Sequence, residues 1–371
     1  MLQFSKYQGL GNDFIIVDAR SGGLPPAVTG PDPDWVRDVC DRRFGVGGDG
    51  VILALPPSGE ADLRMRIFNI DGSEAEMCGN GIRCLARFLV DSEGIPPEGS
   101  WSIETGAGVL TPSWLEDGSI EVSMGAPRLV PDQVPTTARV GGSGCPELEV
   151  TLNGVPHPAV AVGMGNPHLV VPVASLDSHA IDVVGPPLEV HPAFPARTNV
   201  HLVEVLAPDH LRMRVWERGA GPTLACGTGA CATLVGLRLL GRCAAAARVD
   251  LPGGPLFIRW QGPEEPVLMR GPAEPVFDGV LAPELTPPLP EPADAVQDRP
   301  AVVERPAVEA PQPAMSEQAP AGPTDGEADG AGTAALRFLE GHSLDEMIGL
   351  ANDSLPARTL ARQRRDGEPQ A

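Results

Sequence analysis

Apolar residues recur with two periods along the first 282 residues of the chain. Alternating runs at Leu63–Asn69, Ile120–Ser123 and residues 200–205 predict strands, because alternate side chains of a strand face one side of a sheet. Two other stretches repeat apolar residues every three or four positions, which predicts buried helices and hence an α/β fold. Their apolar positions are Ile82, Leu85, Ala86 and Leu89 in the first, and Ala230, Leu234, Leu237 and Leu240, before Gly241, in the second.

The pattern changes after residue 282. Residues 283–332 are rich in Pro, Ala and acidic side chains. Such a segment cannot bury enough apolar surface to offset its chain entropy, so we predict a disordered linker. Residues 333–371 regain apolar residues at helical spacing, and we predict a weakly helical tail. This tail is either solvated or a docking helix for a partner that the sequence does not identify.

Two short motifs occur twice, at nearly the same offset. Residues 9–17 (GLGNDFIIV) resemble residues 163–171 (GMGNPHLVV), and residues 77–81 (MCGNG) resemble residues 225–229 (ACGTG). We therefore predict an internal duplication in which two α/β units face each other across a cleft. The predicted N-terminal domain spans residues 1–124 and is completed by about residues 270–282, and the C-terminal domain spans residues 125–269.

Composition excludes several classes of function. The formal net charge of −22 repels nucleic acid and anionic membrane surfaces, and no apolar run is long enough to span a membrane. Lys6 is the only lysine, so a pyridoxal phosphate enzyme, which needs a Schiff-base lysine, is not expected. The seven cysteines include no CxxC pair and no secretory signal is visible, which predicts free thiols in a cytoplasmic protein without a structural metal.

The repeated CGxG turns indicate chemistry because each lies at the predicted start of a buried helix. Unpaired N–H groups there bind carboxylate and lower the pKa of a thiol, so Cys78 and Cys226 are expected to form a thiolate near neutral pH. Two such thiols flanking one carboxylate could remove a proton from one face of a stereocentre and return one to the other. The remaining cysteines are expected to be structural: Cys40, Cys84, Cys145, Cys231 and Cys243.

Taken together, these motifs resemble the diaminopimelate epimerase family. The resemblance covers residues 1 to about 282 and implies two pseudo-symmetric domains, each a sheet wrapped around a central helix. It also implies interconversion of L,L- and meso-2,6-diaminopimelate without metal or organic cofactor. The segments that carry it are residues 9–14 (GLGNDF), 68–74 (FNIDGSE), 77–83 (MCGNGIR), 164–168 (MGNPH), 197–199 (RTN), 216–221 (WERGAG) and 225–229 (ACGTG).

The resemblance also implies a role for each site residue. Cys78 and Cys226 form the acid/base pair, and His168 and Glu217 tune the pKa of the thiols. The two CGxG turns bind the reacting carboxylate through their backbone, Glu217 helps to hold the reacting ammonium, and the other polar groups recognise mainly the far end of the substrate. The implied substrate-binding residues are Asn12, Asn69, Gly79, Asn80, Asn166, Asn199, Glu217, Arg218, Gly227 and Thr228.

Two positions depart from the family pattern. Gly50 stands where some members have a glutamine that touches substrate, and Phe277 stands where some have a tyrosine near the subunit contact, so a homodimer is expected less firmly. Two alternatives stay open. The first is a related cysteine-pair racemase acting on proline, hydroxyproline or histidine. The second is a thiol redox or scaffold protein that has kept the fold.

Overall fold

The computed structural model describes residues 2–22, 26–96, 98–282 and 285. The predicted linker and tail therefore lie outside the described residues, apart from residue 285. Within the described ranges, no helix is long and apolar enough to cross a membrane. The strands of these ranges form two large sheets, and each sheet covers one central helix.

The first sheet has eight strands in the order β20-β1-β2-β3-β4-β6-β7, with β5 paired to β4. Its strands are β1 (Gln3–Gly9), β2 (Asn12–Asp18), β3 (Gly50–Leu55), β4 (Leu63–Asn69), β5 (Glu74–Ala75), β6 (Ile103–Thr105), β7 (Gly108–Leu110) and β20 (Glu274–Val280). The predicted strand at Leu63–Asn69 is confirmed as β4, whose alternate residues are buried.

The second sheet has twelve strands in the order β10-β11-β12-β13-β14-β15-β17-β18-β19-β9-β8, with β16 paired to β15. Its strands are β8 (Ser113–Trp114), β9 (Ile120–Ser123), β10 (Arg139–Val140), β11 (Pro146–Leu152), β12 (Val155–Gly163), β13 (Pro167–Val173), β14 (Asn199–Ala207), β15 (His210–Glu217), β16 (Gly221–Pro222), β17 (Ala246–Leu251), β18 (Gly254–Arg259) and β19 (Leu268–Gly271). The two remaining strand predictions are confirmed as β9 and β14.

The two halves repeat one topology strand by strand. The hairpin β1-β2 matches β12-β13, and each hairpin turns at a GxGN motif. Next, β2 pairs in parallel with β3 as β13 does with β14, and the antiparallel pair β3-β4 matches β14-β15. The parallel pair β4-β6 then matches β15-β17. This correspondence confirms the predicted duplication and the two-domain α/β fold.

Both predicted helices are present and occupy matched places in the repeat. Each follows the short strand, β5 or β16, that pairs with the fourth strand of the repeat. The second helix is followed by Gly241 with φ +68°, as expected for a helix stop. Two short 3-10 helices lie at Pro131–Gln133 and Leu176–Ser178. The α-helices are α1 (Pro26–Thr29), α2 (Pro33–Cys40), α3 (Gly79–Glu93), α4 (Ile181–Glu189) and α5 (Gly227–Leu239).

One hydrophobic core joins the two halves. Leu85 and Leu89 of α3 and Leu234 and Leu237 of α5 are fully buried in it, and the two helices touch each other. Each such leucine contributes about 1.5–3 kcal/mol on burial. The outer faces of the sheets are covered separately by α2 and α4. The central helices are therefore fixed on every side, which fixes the position of their N-termini.

The sheets also exchange strands near the predicted domain boundaries. Strand β20, from the C-terminal end of the described chain, pairs with β1 in the first sheet. Strands β8 and β9 follow the first sheet in the chain but join the second sheet through β19. The chain thus crosses between the halves twice, and the domain boundaries at residues 124 and 269 stay predictions.

The GxGN turn of the first half packs directly on the second half. Gly253, in the turn between β17 and β18, donates its N–H to Leu224 O at 2.8 Å. A methyl group added at Gly253 would lie 2.0 Å from Leu10 O and 3.1 Å from Leu224 O. Backbone atoms cannot yield as a flexible side chain can, so this contact admits only glycine.

We expect the substitution Gly253→Ala to lower the free energy of unfolding by about 1–3 kcal/mol, because the added carbon overlaps a backbone carbonyl of the other half. Gly262→Ala is the matched control, since a methyl group there meets no atom within 4 Å, and it should change stability by less than about 0.5 kcal/mol. Urea unfolding measures both values. Equal stability of the two variants would contradict a tight contact at Gly253.

Candidate active site

Cys78 and Cys226 hold the same position in the two halves, each directly before a central helix. Their backbone angles are similar, with φ −138° and ψ 121° at Cys78 and φ −132° and ψ 103° at Cys226. In this extended conformation the first-turn N–H groups, which have no partner within the helix, reach the thiol. The N–H groups of Asn80 and Gly81 donate to Cys78 Sγ, and that of Gly229 donates to Cys226 Sγ.

Two side chains lie against both helix N-termini. A methyl group added at Gly79 would lie 2.7 Å from Met269 Cε, and one added at Gly227 would lie 3.0 Å from Met269 Sδ. The same point at Gly227 is 3.8 Å from Asn80 Oδ1. The structure therefore brings both CGxG turns into one site, and the charges of the two cysteines interact.

Burial raises the pKa of both thiols above the ordinary value of 9.0, and it does so most strongly at Cys226. The backbone N–H donors lower these pKa values, but lost hydration outweighs them. The expectation of a thiolate near neutral pH is therefore wrong for the substrate-free protein, in which both groups are thiols. The helix N-terminus reduces the cost of ionising a buried thiol without abolishing it.

Glu217 is a carboxylate whose charge acts on both thiols. It accepts a hydrogen bond from Thr223 Oγ1 at 2.6 Å, and the Cys226 side chain lowers its pKa. After burial, the charge of Glu217 is the next cause that raises the pKa of Cys226, and it also raises that of Cys78. Thr228 Oγ1 lies 3.6 Å from Cys226 Sγ on the helix side. Glu217 thus favours the protonated form of both cysteines.

The asparagines of the first half are linked to each other beside Cys78. Asn80 is buried in the first turn of α3, and its Nδ2 donates to Asn12 Oδ1 at 3.2 Å. Asn12 Oδ1 also lies 4.0 Å from Cys78 Sγ. The nitrogen of the same amide, Asn12 Nδ2, donates to Asp49 Oδ2 at 2.8 Å. Both predicted asparagines therefore border the thiol.

The second half places two buried histidines behind Cys226. His168 Nδ1 lies 2.8 Å from His201 Nε2, and His168 Nε2 lies 2.7 Å from Asn166 Oδ1. Burial lowers the pKa of His201 to about 3 and that of His168 well below 6.5, so both rings are neutral at pH 7. A methyl group added at Gly229 would lie 2.3 Å from His201 Cε1 and 3.0 Å from Cys226 Sγ, so the His201 ring borders this thiol.

Three predicted residues have side chains that are hydrogen-bonded to other atoms of the protein. Asn199 is buried, where its Nδ2 donates to Pro167 O at 2.9 Å and its Oδ1 accepts from the Arg218 N–H at 3.0 Å. The exposed Arg218 guanidinium donates to Ala196 O at 3.1 Å. Asn69 ends β4, and its Nδ2 donates to Ser73 Oγ at 3.0 Å. Their roles in binding substrate stay predictions.

Three polar residues of the site were not predicted: Asp49, Arg83 and His201. A signal for Arg83 was present in the sequence, because an arginine four residues after Gly79 on an apolar helix lies on the same face as the first turn. Arg83 donates to Gly79 O at 3.0 Å and to Asn80 Oδ1 at 2.9 Å. The positions of Asp49 and His201 depend on strand pairing, for which the local sequence carries no signal.

Known proteins match this chain over the part that contains the site. A profile of the family described as diaminopimelate epimerase matches residues 4–130 and 160–276, which include every predicted site residue. The chain is 58% identical over 287 residues to diaminopimelate epimerase of Prochlorococcus marinus (strain MIT 9313), covering 77% of this chain and 95% of that protein. Diaminopimelate epimerase of Acaryochloris marina (strain MBIC 11017) is 52% identical over 281 residues, 75% of this chain and 98% of that protein.

The chain belongs to the diaminopimelate epimerase family. The predicted family and enzyme class, an isomerase acting as an epimerase, are thereby confirmed. Solved structures of lower identity share the fold. A hydroxyproline epimerase of Agrobacterium vitis superposes with a TM-score of 0.55 at 17% identity, covering 77% of this chain and 94% of that one. A phenazine biosynthesis protein of the PhzF family from Bacillus anthracis gives 0.52 at 20% identity, covering 75% and 98%.

In this member of the diaminopimelate epimerase family, we expect Glu217→Gln to lower the pH midpoint for alkylation of Cys226 by about one unit. The substitution removes a negative charge and weakens the acceptor for the thiol proton, and both changes favour the thiolate. Iodoacetamide labelling of the substrate-free protein across a pH series, with mass spectrometry of the Cys226 peptide, measures the midpoint.

Glu204→Gln is the control for this measurement. Glu204 is a carboxylate on the neighbouring strand β14, where it pairs with Arg212 at 2.7 Å. Its loss should leave the Cys226 midpoint unchanged. Equal midpoints for the wild type and Glu217→Gln would contradict the electrostatic role of Glu217.

Proposed function

We propose that the protein interconverts L,L- and meso-2,6-diaminopimelate, with Cys78 and Cys226 as the two proton-transfer groups. The observation that carries this proposal is the matched placement of two thiols at two helix N-termini that share Met269 and Asn80 as neighbours. One stereocentre held between the thiols would have one sulfur on each face. The names of the curated relatives support the substrate.

The first turns of α3 and α5 supply the carboxylate site of this proposal. Their N–H groups, which have no partner within the helix, and the positive ends of two helix dipoles meet at one place, and both favour a bound anion. As the α-proton leaves, negative charge moves into the carboxylate. The same donors then stabilise the carbanion more strongly than the starting carboxylate, which lowers the barrier.

Proton transfer in the proposed reaction is balanced across the stereocentre. One cysteine, as thiolate, takes the α-proton and becomes a thiol, and the opposite thiol donates its proton to the other face and becomes a thiolate. The reverse reaction exchanges these roles. Because burial keeps both groups protonated in the substrate-free protein, one proton must leave first. Glu217, whose charge acts on both cysteines, is the proposed acceptor for that proton.

Recognition of the far end of the substrate is proposed for Asn69, Asn166, Asn199 and Arg218. A second ammonium and carboxylate need acceptors and donors at a fixed distance from the thiols, and amides supply both while a guanidinium supplies a fork. Asn199 accepts from the backbone of Arg218, so these two residues form one unit beside Glu217. Proline has no second polar end and would leave these groups unpaired.

A homodimer is also proposed. Strand β20 is the outermost strand of the first sheet, and Val276, Phe277 and Val280 on it are about half exposed. Exposed apolar side chains on an edge strand favour pairing with another chain. Sedimentation equilibrium should give twice the chain mass, and Phe277→Lys should shift it toward the monomer. A monomeric wild-type protein would contradict the proposal.

We further propose that the enzyme acts in the cytoplasm, in the synthesis of lysine and of peptidoglycan precursors. All seven cysteines are free, as is usual in a reducing compartment. Two thiols in one site would be lost to oxidation elsewhere. Cell fractionation with an activity assay tests the location, and activity confined to a secreted or periplasmic fraction would contradict it.

The activity is tested by α-proton exchange in D2O with L,L-diaminopimelate, meso-diaminopimelate, proline, hydroxyproline and histidine. We expect exchange and epimerisation of the diaminopimelates only. Cys78→Ala and Cys226→Ala should each lose more than about 1,000-fold in kcat, because each removes one of two required proton-transfer groups. Cys243→Ala is the control and should keep full activity, since Cys243 follows the C-terminal end of α5 and its thiol donates to Leu234 O at 3.6 Å.

Two results would contradict this function. Turnover of proline without turnover of diaminopimelate would assign the protein to the related racemases. Full activity of either site-cysteine variant would favour the thiol redox or scaffold interpretation.

A further inference from the structure

Two charged side chains that the mechanism does not use stand at the ends of one hydrogen-bond chain beside Cys78. At one end, Arg83 Nη2 donates to Asn80 Oδ1 at 2.9 Å. Asn80 Nδ2 donates to Asn12 Oδ1 at 3.2 Å, and Asn12 Nδ2 donates to Asp49 Oδ2 at 2.8 Å. The chain therefore passes through two amides between a cation and an anion.

The chemistry of Arg83 and Asp49 allows the hydrogen-bond chain only one donor-to-acceptor direction, from Arg83 to Asp49. A guanidinium has donors and no acceptor, and an ionised carboxylate has acceptors and no donor. Each amide must therefore turn its oxygen toward Arg83 and its nitrogen toward Asp49. Reversing either amide would place donor against donor at one end or oxygen against oxygen at the other.

This direction decides which atom of Asn12 faces the thiol. Asn12 Oδ1, held toward Asn80, is the atom that lies 4.0 Å from Cys78 Sγ. An oxygen there can accept a hydrogen bond from the thiol but repels a thiolate. An amide N–H in the same place would have the opposite effect.

Both ends of the hydrogen-bond chain, Asp49 and Arg83, are held by further contacts. Arg42 bridges Asp49 at 2.8 Å and Asp13 at 2.6 Å, and Lys6 pairs with Asp13 at 2.8 Å. Arg83 is fully buried and, within the described part of the chain, has no carboxylate partner. Its guanidinium is held instead by the backbone oxygens of Gly79, at 3.0 Å, and Pro272, at 3.3 Å, together with Asn80 Oδ1.

We propose that Arg83 and Asp49 are positioning residues that hold the amides of Asn80 and Asn12 in a single orientation, so that an oxygen rather than an N–H faces Cys78. This inference rests on the proposed function only in treating Cys78 as a proton-transfer group. It adds the orientation of the Asn12 amide to burial as a cause that keeps Cys78 protonated before substrate arrives, and it assigns that orientation to two residues that need not touch substrate.

The second half lacks such charged ends. There the corresponding chain joins Asn166, His168 and His201, and His201 Nδ1 is buried with no hydrogen-bond partner. With Asn166 Oδ1 as acceptor, His168 Nε2 donates to it and His201 Nε2 donates to His168 Nδ1. Neutral imidazole can donate or accept at either nitrogen, so this chain can run the other way if the Asn166 amide turns over. The duplicated halves are therefore inequivalent, with a fixed amide beside Cys78 and a reversible chain behind Cys226.

The test compares Asp49→Ala with Asp49→Asn. Alanine removes the acceptor and frees the Asn12 amide, whereas asparagine keeps an acceptor oxygen and removes only the charge. Cys78 alkylation by iodoacetamide across a pH series is read without substrate, and kcat and KM are measured on L,L-diaminopimelate. For Asp49→Ala we expect a lower pH midpoint for Cys78 and a fall of about tenfold in kcat with a smaller change in KM, as for a misplaced group. Asp49→Asn should restore both values toward the wild type.

Two variants of Arg83 repeat the test at the other end of the hydrogen-bond chain. Arg83→Gln keeps a donor for Asn80 and Arg83→Met does not, while both remove the positive charge that lowers the pKa of Cys78. The methionine variant should therefore have the lower Cys78 midpoint of the two. Asp91→Asn is the control, because it breaks the ion pair with Arg87 on the same helix, at 3.0 Å, and Asp91 bonds to none of the four members of the hydrogen-bond chain. Its Cys78 midpoint should match the wild type even if thermal unfolding shows a loss of stability.

The outcomes are distinct. Equal shifts in Asp49→Asn and Asp49→Ala would show that charge, not amide orientation, acts on Cys78, and would overturn the inference. A raised KM in Asp49→Asn with unchanged kcat would mean that Asp49 binds substrate directly, which also overturns it. Absence of diaminopimelate turnover in the wild-type protein would refute the proposed function, while the alkylation series would still decide the inference.

Discussion

The meeting of two helix N-termini across the duplicated halves is the constraint on which the rest of the structure depends. Each helix begins with a cysteine and two glycines, and a methyl group at Gly79 or Gly227 would lie 2.7 or 3.0 Å from the Met269 side chain. The helices can approach this closely because their apolar faces share one core. The sheets, the strand exchange and the contact of Gly253 with Leu10 all hold this approach in place.

Close approach has an electrostatic consequence. Two thiols and a carboxylate, Glu217, lie in a region where burial raises the pKa of all three groups. The helix ends and backbone N–H donors offset part of that effect and are already directed at the place where charge develops. Without substrate, such a site keeps its two thiols protonated. An anionic ligand then stabilises the site by accepting hydrogen bonds from the N–H groups at the two helix N-termini.

The duplication gives the two halves the same backbone topology, but their polar side chains make different contacts. Asn12 and Asn166 hold matched positions in the two GxGN turns, yet Asn12 bonds to a carboxylate and Asn166 to a histidine. Asn69 and Glu217 likewise end matched strands, β4 and β15. A substrate whose reacting and far ends differ needs such inequality, because a symmetric site would bind either end equally well.

The sequence by itself determined the duplication, the two central helices, the family and the paired cysteines, because these depend on local periodicity and on motifs a few residues long. Tertiary structure decided the protonation of Cys78 and Cys226, since burial depends on distant packing that no local motif encodes. It also decided the links from Asp49 to Asn12 and from His201 to Cys226. These residues come from strands whose positions are set by long-range pairing, so their chemistry is visible only once the sheets are formed.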